Sequence, residues 1–375
     1  MDRSNLPQPT ADAAAHSARL AGLIRDDIRT AGGWIGFDRY MQLALYAPGL
    51  GYYAAGTQKF GDAASGGDFV TAPEISPLFG RALAAQIEQL FELVAPQVLE
   101  FGAGSGALAR DLLAATRIER YFIVEVSPEL RARQRSLLAS RPVTWLDTPP
   151  VDFDGVIIAN EVMDVMPVQL FDKRGGKASE RGVALDGDRF VFKERPAPTP
   201  LAQAVGEIEA HCGVLADGYA SEIGTVARGW VASLGTWLRH GAALLIDYGF
   251  PRREYYHPQR LMGTIMCHHR HRAHADPFWL PGLNDLTAHV DFSALADSAS
   301  AVGLEVLGYC TQARFLLNCG LLDLVRDEHT PQRAAQAKRL LSEAEMGELF
   351  KVLAVGRGIE APLVGFAQGD RRDTL

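Results

Sequence analysis

The stretch QVLEFGAGSGALARDLL, Gln97 to Leu113, confines this chain more tightly than any other. A short apolar run stops at alternating glycines, an amphipathic helical pattern begins at once, and YFIVEVSPEL then carries a second apolar run to Glu125. A strand that turns abruptly into a helix needs positive φ, and a ligand approaches backbone amides closely only where Cβ is missing. Gly102, Gly104 and Gly106 supply both. Glu125 stands nineteen positions after Gly106. It falls at the tip of the next strand, where a carboxylate accepts hydrogen bonds from two ribose hydroxyls. The layout is that of an adenosine-binding βαβ unit.

Taken as Gly102, Gly104 and Ala107, the same residues fit the G-x-G-x-x-G/A pattern of NAD and FAD sites, so spacing alone leaves an oxidoreductase open. Glu100 leans the other way. It lies at the carboxyl end of the first strand, facing the ligand crevice. A carboxylate there suits a ligand with ammonium and sulfonium charges, such as S-adenosylmethionine, better than an anionic pyrophosphate. The alternative for Glu100 is a solvated or capping side chain.

With 375 residues, 47% hydrophobic and 22% charged, the chain is long enough for one decorated domain or two. A net charge of −8 argues against nucleic acid as the main partner and favours a cationic substrate. Cys212, Cys267, Cys310 and Cys319 show no CxxC spacing and are expected to be reduced, buried thiols. The first twenty residues lack an apolar signal core and carry Asp2 and Asp12, which a mitochondrial presequence avoids. No window approaches a membrane span. A cytoplasmic location without membrane insertion is the expectation.

Helices are predicted over 11–31, 37–46 and 75–94, with a glycine-rich loop over 51–74 that reads equally as a ligand-facing loop or a plain surface loop. Strand and helix then alternate over 98–102, 107–115, 121–126, 128–139, 143–146 and 155–161, the mark of a parallel sheet covered by helices. Residues 168–193 predict an antiparallel meander inserted on that sheet, followed by helices over 200–212 and 225–239 and a buried strand over 241–249. Residues 314–353 are expected to be helical, and 362–368 an edge strand. The expected organisation is an N-terminal helical segment with a glycine-rich loop (1–94), a core (95–310) with an insertion at 167–220, and a C-terminal helical segment (311–375).

The fourth strand ends in IIANEVMDVMPV, which brings Asn160, Glu161 and Asp164 to the carboxyl end of the sheet. On a helical turn Glu161 and Asp164 share a face and flank a cation; helix capping explains the composition equally well. Methyl transfer from a sulfonium is an in-line displacement governed by positioning. If the acceptor is a guanidinium, its pKa above about 12 leaves no free lone pair, so carboxylates must localise its charge. Glu161 and Asp164 are the candidates. CHHRHRAH, Cys267 to His274, matches no common tetrahedral metal spacing and holds two arginines, so no metal is expected. His289 is a candidate proton acceptor with Asp285 or Asp291 as its orienter, the alternative being a structural histidine bonded to the backbone.

Together YMQLALYAPGLGYY (40–53), GDFVTAPEISPLFG (67–80), LEFGAGSGALARDLL (99–113), ANEVMDVMPV (159–168), LLIDYGF (244–250), DPFWLPGLNDLTAHVDF (276–292), TQARFLLNCG (311–320) and MGELFKVLA (346–354) stand in order along most of the chain. In them the chain resembles the MidA-type class I S-adenosylmethionine-dependent methyltransferases, which include the mitochondrial complex I assembly methyltransferase. The resemblance implies an α/β Rossmann-like methyltransferase core. To this it adds an α+β domain built from the N-terminal segment, the central insertion and the C-terminal helices. It implies S-adenosylmethionine as cofactor and a protein arginine as acceptor, on a subunit of the quinone-reducing NADH dehydrogenase; a homodimer is left open. By position, Gly102, Gly104 and Gly106 line the methionine and ribose, Glu125 the ribose hydroxyls and Asp147 the adenine amine. Asp68, Thr71 and Glu74 come from the loop over the cofactor, and Glu100 and Asn160 complete the cofactor set. Val162-Met163 replaces residues that are commonly aromatic, and Met266 to His271 is richer in histidine than usual. A non-enzymatic assembly chaperone with the same fold is the remaining alternative.

Overall fold

The apolar runs become strands because a covered, hydrogen-bonded sheet satisfies the backbone of buried residues, with burial extensive along Gln97–Phe101, Phe153–Asn160 and Leu238–Phe250 and partial along Arg120–Val124 and Val143–Leu146. In chain order these are β1 (Gln97–Phe101), β2 (Arg120–Val124), β3 (Val143–Leu146), β4 (Phe153–Asn160) and β5 (Leu238–Phe250), all pairing in parallel in the order β3-β2-β1-β4-β5. The sheet continues through β6 (Glu305–Thr311) and β7 (Phe350–Arg357): β7 runs antiparallel to β5, and β6 antiparallel to β7. Neighbour order reverses at β1, which has β2 on one side and β4 on the other. This switch point opens a crevice beyond the carboxyl ends of both strands.

The computed structural model describes residues 6–56, 71–328 and 330–375. The chain divides into two compact units: Met1–Phe69, Asp164–Ala227 and Pro251–Asp291 form one, and Val70–Met163, Arg228–Phe250 and Phe292–Leu375 form the other. The second holds the parallel sheet. Its helices α1 (Pro77–Leu90), α2 (Ala107–Ala115) and α3 (Pro128–Leu137) follow the predicted pattern. The core joins Leu78, Leu83 and Ile87 of α1 to Leu108 and Leu112 of α2 and to Val98, Val156, Ile158, Leu244 and Ile246 of the strands. Each such side chain contributes about 1.5–3 kcal/mol of burial.

The first unit carries the helices Ala11–Thr30 and Phe37–Tyr46 over an antiparallel sheet. Strand Lys177–Asp186 pairs with Trp34–Gly36, Gln169–Arg174 and Arg189–Pro196, and Ala220–Ile223 extends the sheet beyond Gln169–Arg174. The predicted meander therefore exists but forms a sheet of its own instead of joining the parallel one. Leu20, Ile24, Ile28, Phe37 and Tyr40 make its core, and the Tyr40 hydroxyl donates to the Pro277 carbonyl at 2.6 Å.

The C-terminal region departs from expectation. Its helices, α4 (Gln312–Asn318), α5 (Leu321–Glu328) and α6 (Pro331–Leu341), belong to the unit of the parallel sheet and not to the additional one. The predicted helicity to 353 also fails, because Phe350–Arg357 is β7, paired on both sides. A strand buried on both faces gives an unbroken apolar run that periodicity does not separate from a buried helix. The expected edge strand at 362–368 is a single 3-10 turn, Val364–Phe366, whose Gly365 N–H donates to Gln86 of α1 at 2.8 Å.

Glycines permit the close approach of β5 to β4. Gly241 pairs with Gly155, has φ +132°, and a Cβ there would overlap the Gly155 carbonyl. Gly241→Ala is expected to cost about 3 kcal/mol, the upper range of overpacking in a fitted interior. Urea unfolding checks it, and a loss below about 0.5 kcal/mol, the level of an ordinary surface change, would contradict this packing.

Candidate active site

The turn between β1 and α2 holds all three glycines in left-handed conformations, with φ of +61° at Gly102, +54° at Gly104 and +88° at Gly106. The Gly102 N–H donates to the Val124 carbonyl at 2.9 Å and the Gly106 N–H to the Ala103 carbonyl at 2.8 Å. A Cβ on Gly102 would lie 3.0 Å from Val162 Cγ2, and one on Gly106 3.4 Å from both Gln134 Cγ and Leu137 Cδ2. At Gly102 the missing side chain also makes room for protein, whereas at Gly106 a Cβ would make ordinary contact.

Glu125 sits at the tip of β2, buried, with Oε1 accepting from the Ser127 N–H at 2.9 Å and Oε2 from Gln134 Nε2 at 3.0 Å. Burial raises its pKa, and the Ser127 and Gln134 hydrogen bonds oppose the rise. Glu100, on β1, is buried as well and takes a hydrogen bond from the Tyr121 hydroxyl at 2.7 Å, so it is neither a solvated acid nor a cap. Burial pushes its pKa up to about 7; the Tyr121 bond resists, and the nearby Glu125 charge adds to the rise. Asp147, after β3, is an exposed carboxylate paired with Arg131 Nη1 at 2.7 Å, while Arg131 Nη2 donates to the Leu146 carbonyl at 2.6 Å.

At the end of β4, Asn160 Nδ2 donates to Glu161 Oε1 at 3.2 Å, and among the described residues its buried Oδ1 has no hydrogen-bond partner. Glu161 adopts φ +54°, a strained conformation for a glutamate, and its N–H donates to the Ile246 carbonyl at 2.8 Å. Glu161 Oε1 also accepts from the Ala72 N–H at 3.4 Å. That amide opens the short helix Ala72–Ile75, which Thr71 precedes as N-cap without a side-chain bond. Glu74 of the same helix accepts from the Ser105 hydroxyl in the glycine turn. Residues 71–75 are thus tied both to the glycine turn and to the tip of β4. Asp68 lies outside the described residues.

The structure does not unite every candidate. Residues 161–166 form bends and turns with no helix, so the shared helical face expected of Glu161 and Asp164 does not exist. Asp164 and His289 belong to the other unit. Asp164 is buried, and its carbonyl accepts from the Ala288 N–H at 2.9 Å. The His289 N–H donates to Thr264 Oγ1 at 2.9 Å and its carbonyl accepts from the Tyr255 hydroxyl at 3.0 Å. Asp285 accepts from the Tyr53 hydroxyl at 3.0 Å, and Asp291 lies 3.6 Å from Arg252. The histidine-rich segment folds into a hairpin, Met266–His269 with Arg272–His274, in which His269 and His274 each meet Trp279 edge-on at 5.1 Å.

Two residues of the site escaped the sequence reading. Asp247, fully buried at the end of β5, accepts from the Met163 N–H at 3.0 Å and fixes the turn after β4. Gln134, fully buried on α3, touches both the glycine turn and Glu125. Its signal was present: it fills an apolar slot of the stripe Leu130, Gln134, Leu138, where a polar side chain must find partners.

The model of a family described as S-adenosyl-L-methionine-dependent methyltransferases matches residues 78–310. The mitochondrial protein arginine methyltransferase NDUFAF7 of Danio rerio is 30% identical over 384 residues, spanning 87% of this chain and 84% of the relative. The Mus musculus protein of the same name is 30% identical over 84% of this chain and 79% of its own length. A Burkholderia thailandensis protein solved with bound S-adenosyl-homocysteine is 48% identical, covers 99% of this chain and 100% of its own, and superposes with a TM-score of 0.94.

The buried acids make a prediction about pH. Glu100 keeps its proton in the folded chain up to about 7, whereas its ordinary value is 4.5. Its contribution to stability is therefore complete below 4.5 and is lost as pH rises through about 7. Glu100→Gln is expected to remove up to about 3 kcal/mol of that decline, leaving the part due to the other acids that burial raises, Glu125, Glu222 and Glu180 among them. Denaturant midpoints from pH 4.5 to 8 measure it, and an unchanged pH slope would refute it.

Proposed function

This chain belongs to the family of S-adenosylmethionine-dependent methyltransferases, and from that premise we propose that it methylates arginine nitrogens of a protein, a subunit of respiratory complex I being the acceptor. Its cofactor is S-adenosylmethionine, which supplies an electrophilic methyl group carried on a sulfonium. Family membership sets aside the NAD reading of the glycine turn. The residues present suit the cofactor: the left-handed glycine turn offers backbone without Cβ, Glu125 offers a fixed carboxylate, and the partnerless Asn160 Oδ1 calls for a donor from a ligand. We assign Glu125 to the ribose hydroxyls, the glycine turn to the ribose and methionine portions, and Asn160 with Glu100 to the positive end of the cofactor.

The observation that carries the acceptor assignment is Glu161, a carboxylate held in a strained conformation at the rim of the switch point. A guanidinium becomes nucleophilic only when carboxylates localise its charge on the nitrogens that are not attacking. Glu161 takes that part in this proposal. The names of the relatives, protein arginine methyltransferases at about 30% identity, support the reading.

Glu161→Gln preserves an acceptor oxygen for Asn160 and Ala72 while removing the charge. It is expected to lower kcat by at least about 100-fold with S-adenosylhomocysteine affinity nearly unchanged. Wild-type turnover in a methyl-tritium assay would exclude Glu161 from the chemistry. Gly104→Val forces a branched side chain onto φ +54° and is expected to abolish calorimetric binding of S-adenosylhomocysteine; normal binding would contradict the site. Mass spectrometry of complex I subunits from cells with and without this protein tests the acceptor, and identical arginine methylation in both would overturn it.

A further inference from the structure

We infer that Gln134 is a positioning residue for the cofactor: it joins the glycine turn to the ribose carboxylate, so that both are set before the cofactor arrives. The inference rests on the assignment of Glu125 to the ribose. A glutamine amide has two N–H donors and one acceptor oxygen, and here each faces a group of the opposite kind. Nε2 donates to the Gly104 carbonyl at 2.9 Å and to Glu125 Oε2 at 3.0 Å, while Oε1 accepts from Trp145 Nε1 at 3.0 Å.

None of the three partners can exchange roles. An indole N–H only donates, and a carbonyl and a carboxylate only accept, so a flipped amide would oppose two acceptors with an acceptor and one donor with donors. Trp145 on β3 thereby sets the amide, and the amide sets Glu125 and Gly104. Ser127 holds the other oxygen of Glu125 at 2.9 Å, so both carboxylate oxygens are directed. The approach is built in from the other side too. A Cβ on Gly106 would stand 3.4 Å from Gln134 Cγ and 3.6 Å from Gln134 Cα, ordinary contact distances, so α3 packs directly against the turn at its third glycine. A carboxylate and a turn held in place lose little freedom on binding, which is how preorganisation raises affinity.

The test is Gln134→Met, close in size and without donors, with Trp145→Phe as a milder change that frees the amide orientation. Gln134→Met is expected to weaken S-adenosylhomocysteine binding about 10- to 100-fold, the range for a hydrogen bond to a charged group. The KM for S-adenosylmethionine should rise in step while kcat at saturation stays within about 3-fold, the pattern of lost uniform binding.

A second readout separates positioning from mere support. The ionised Glu125 is the ribose acceptor, so affinity falls as pH drops through its pKa. Gln134 is among the groups holding that pKa down. Its loss should move the fall to higher pH, since Glu100 on β1 and Arg131 on α3, the other charges acting near Glu125, are unchanged. Trp145→Phe should shift affinity and pH profile in the same direction by less. Folded Gln134→Met with wild-type affinity and pH profile overturns the inference, and so does wild-type behaviour of Trp145→Phe should Gln134→Met not fold. Glu125→Ala distinguishes the two layers: unchanged binding there defeats the ribose assignment, whereas weakened binding there beside intact binding in Gln134→Met defeats this inference alone.

Discussion

The pairing of β1 with β2 on one side and β4 on the other is the constraint on which the rest depends. Phe101 lies opposite both Val124 and Ala159, so the three strands stop within a residue or two of one another and their chain continuations leave from one rim. Gly102, Glu125 and Asn160 are the next residues or the last ones of those strands. A parallel sheet buried on both faces has no register freedom, because a one-residue slip would turn its side chains to the opposite face. Groups brought to that rim therefore stay in place without the cofactor.

What the rim then offers is a pair of buried acids. Glu100 and Glu125 are both covered by protein, and burial raises the pKa of each. Two acids desolvated together favour the arrival of a cation, since opposite charge restores the ionised form that burial opposes. The hydrogen bonds to Glu125 from Ser127 and Gln134 do part of this in advance, and Tyr121 does the same for Glu100. Segment 71–75 brings Glu74 to the glycine turn and the Ala72 amide to Glu161, so a stretch far from β4 in sequence completes the rim.

Local sequence carried the parallel part of the fold. Helix 107–115 has the bounds expected of it, and β1 to β4 fall within about two residues of expectation, because apolar runs that stop at turn residues leave little choice. Phe350–Arg357 was illegible for the opposite reason. Its run VLAV, Val352 to Val355, is apolar throughout, which a buried helix and a doubly buried strand share, and only pairing with β5 and β6 decides between them. The meander was visible as strands, but its partner, the three-residue Trp34–Gly36, is too short to announce itself.

The sequence by itself determined a left-handed glycine turn at Gly102–Gly106 and a carboxylate at the strand end, Glu125, since positive φ and a strand-end acid are properties of single residues and short spacings. Only the tertiary structure decided what stands behind them. Gln134 reaches the glycine turn from α3 with Trp145 of β3 bonded behind it, and Asp247 fixes the β4 tip from β5, through contacts whose partners lie 11 to 84 residues apart. The same structure assigned Glu161 to one unit and Asp164 to the other, although three positions separate them. Hydrogen-bond geometry across a packed interior has no local pattern to betray it, because it is set by where the sheet places its strands and not by which residues are neighbours in the chain.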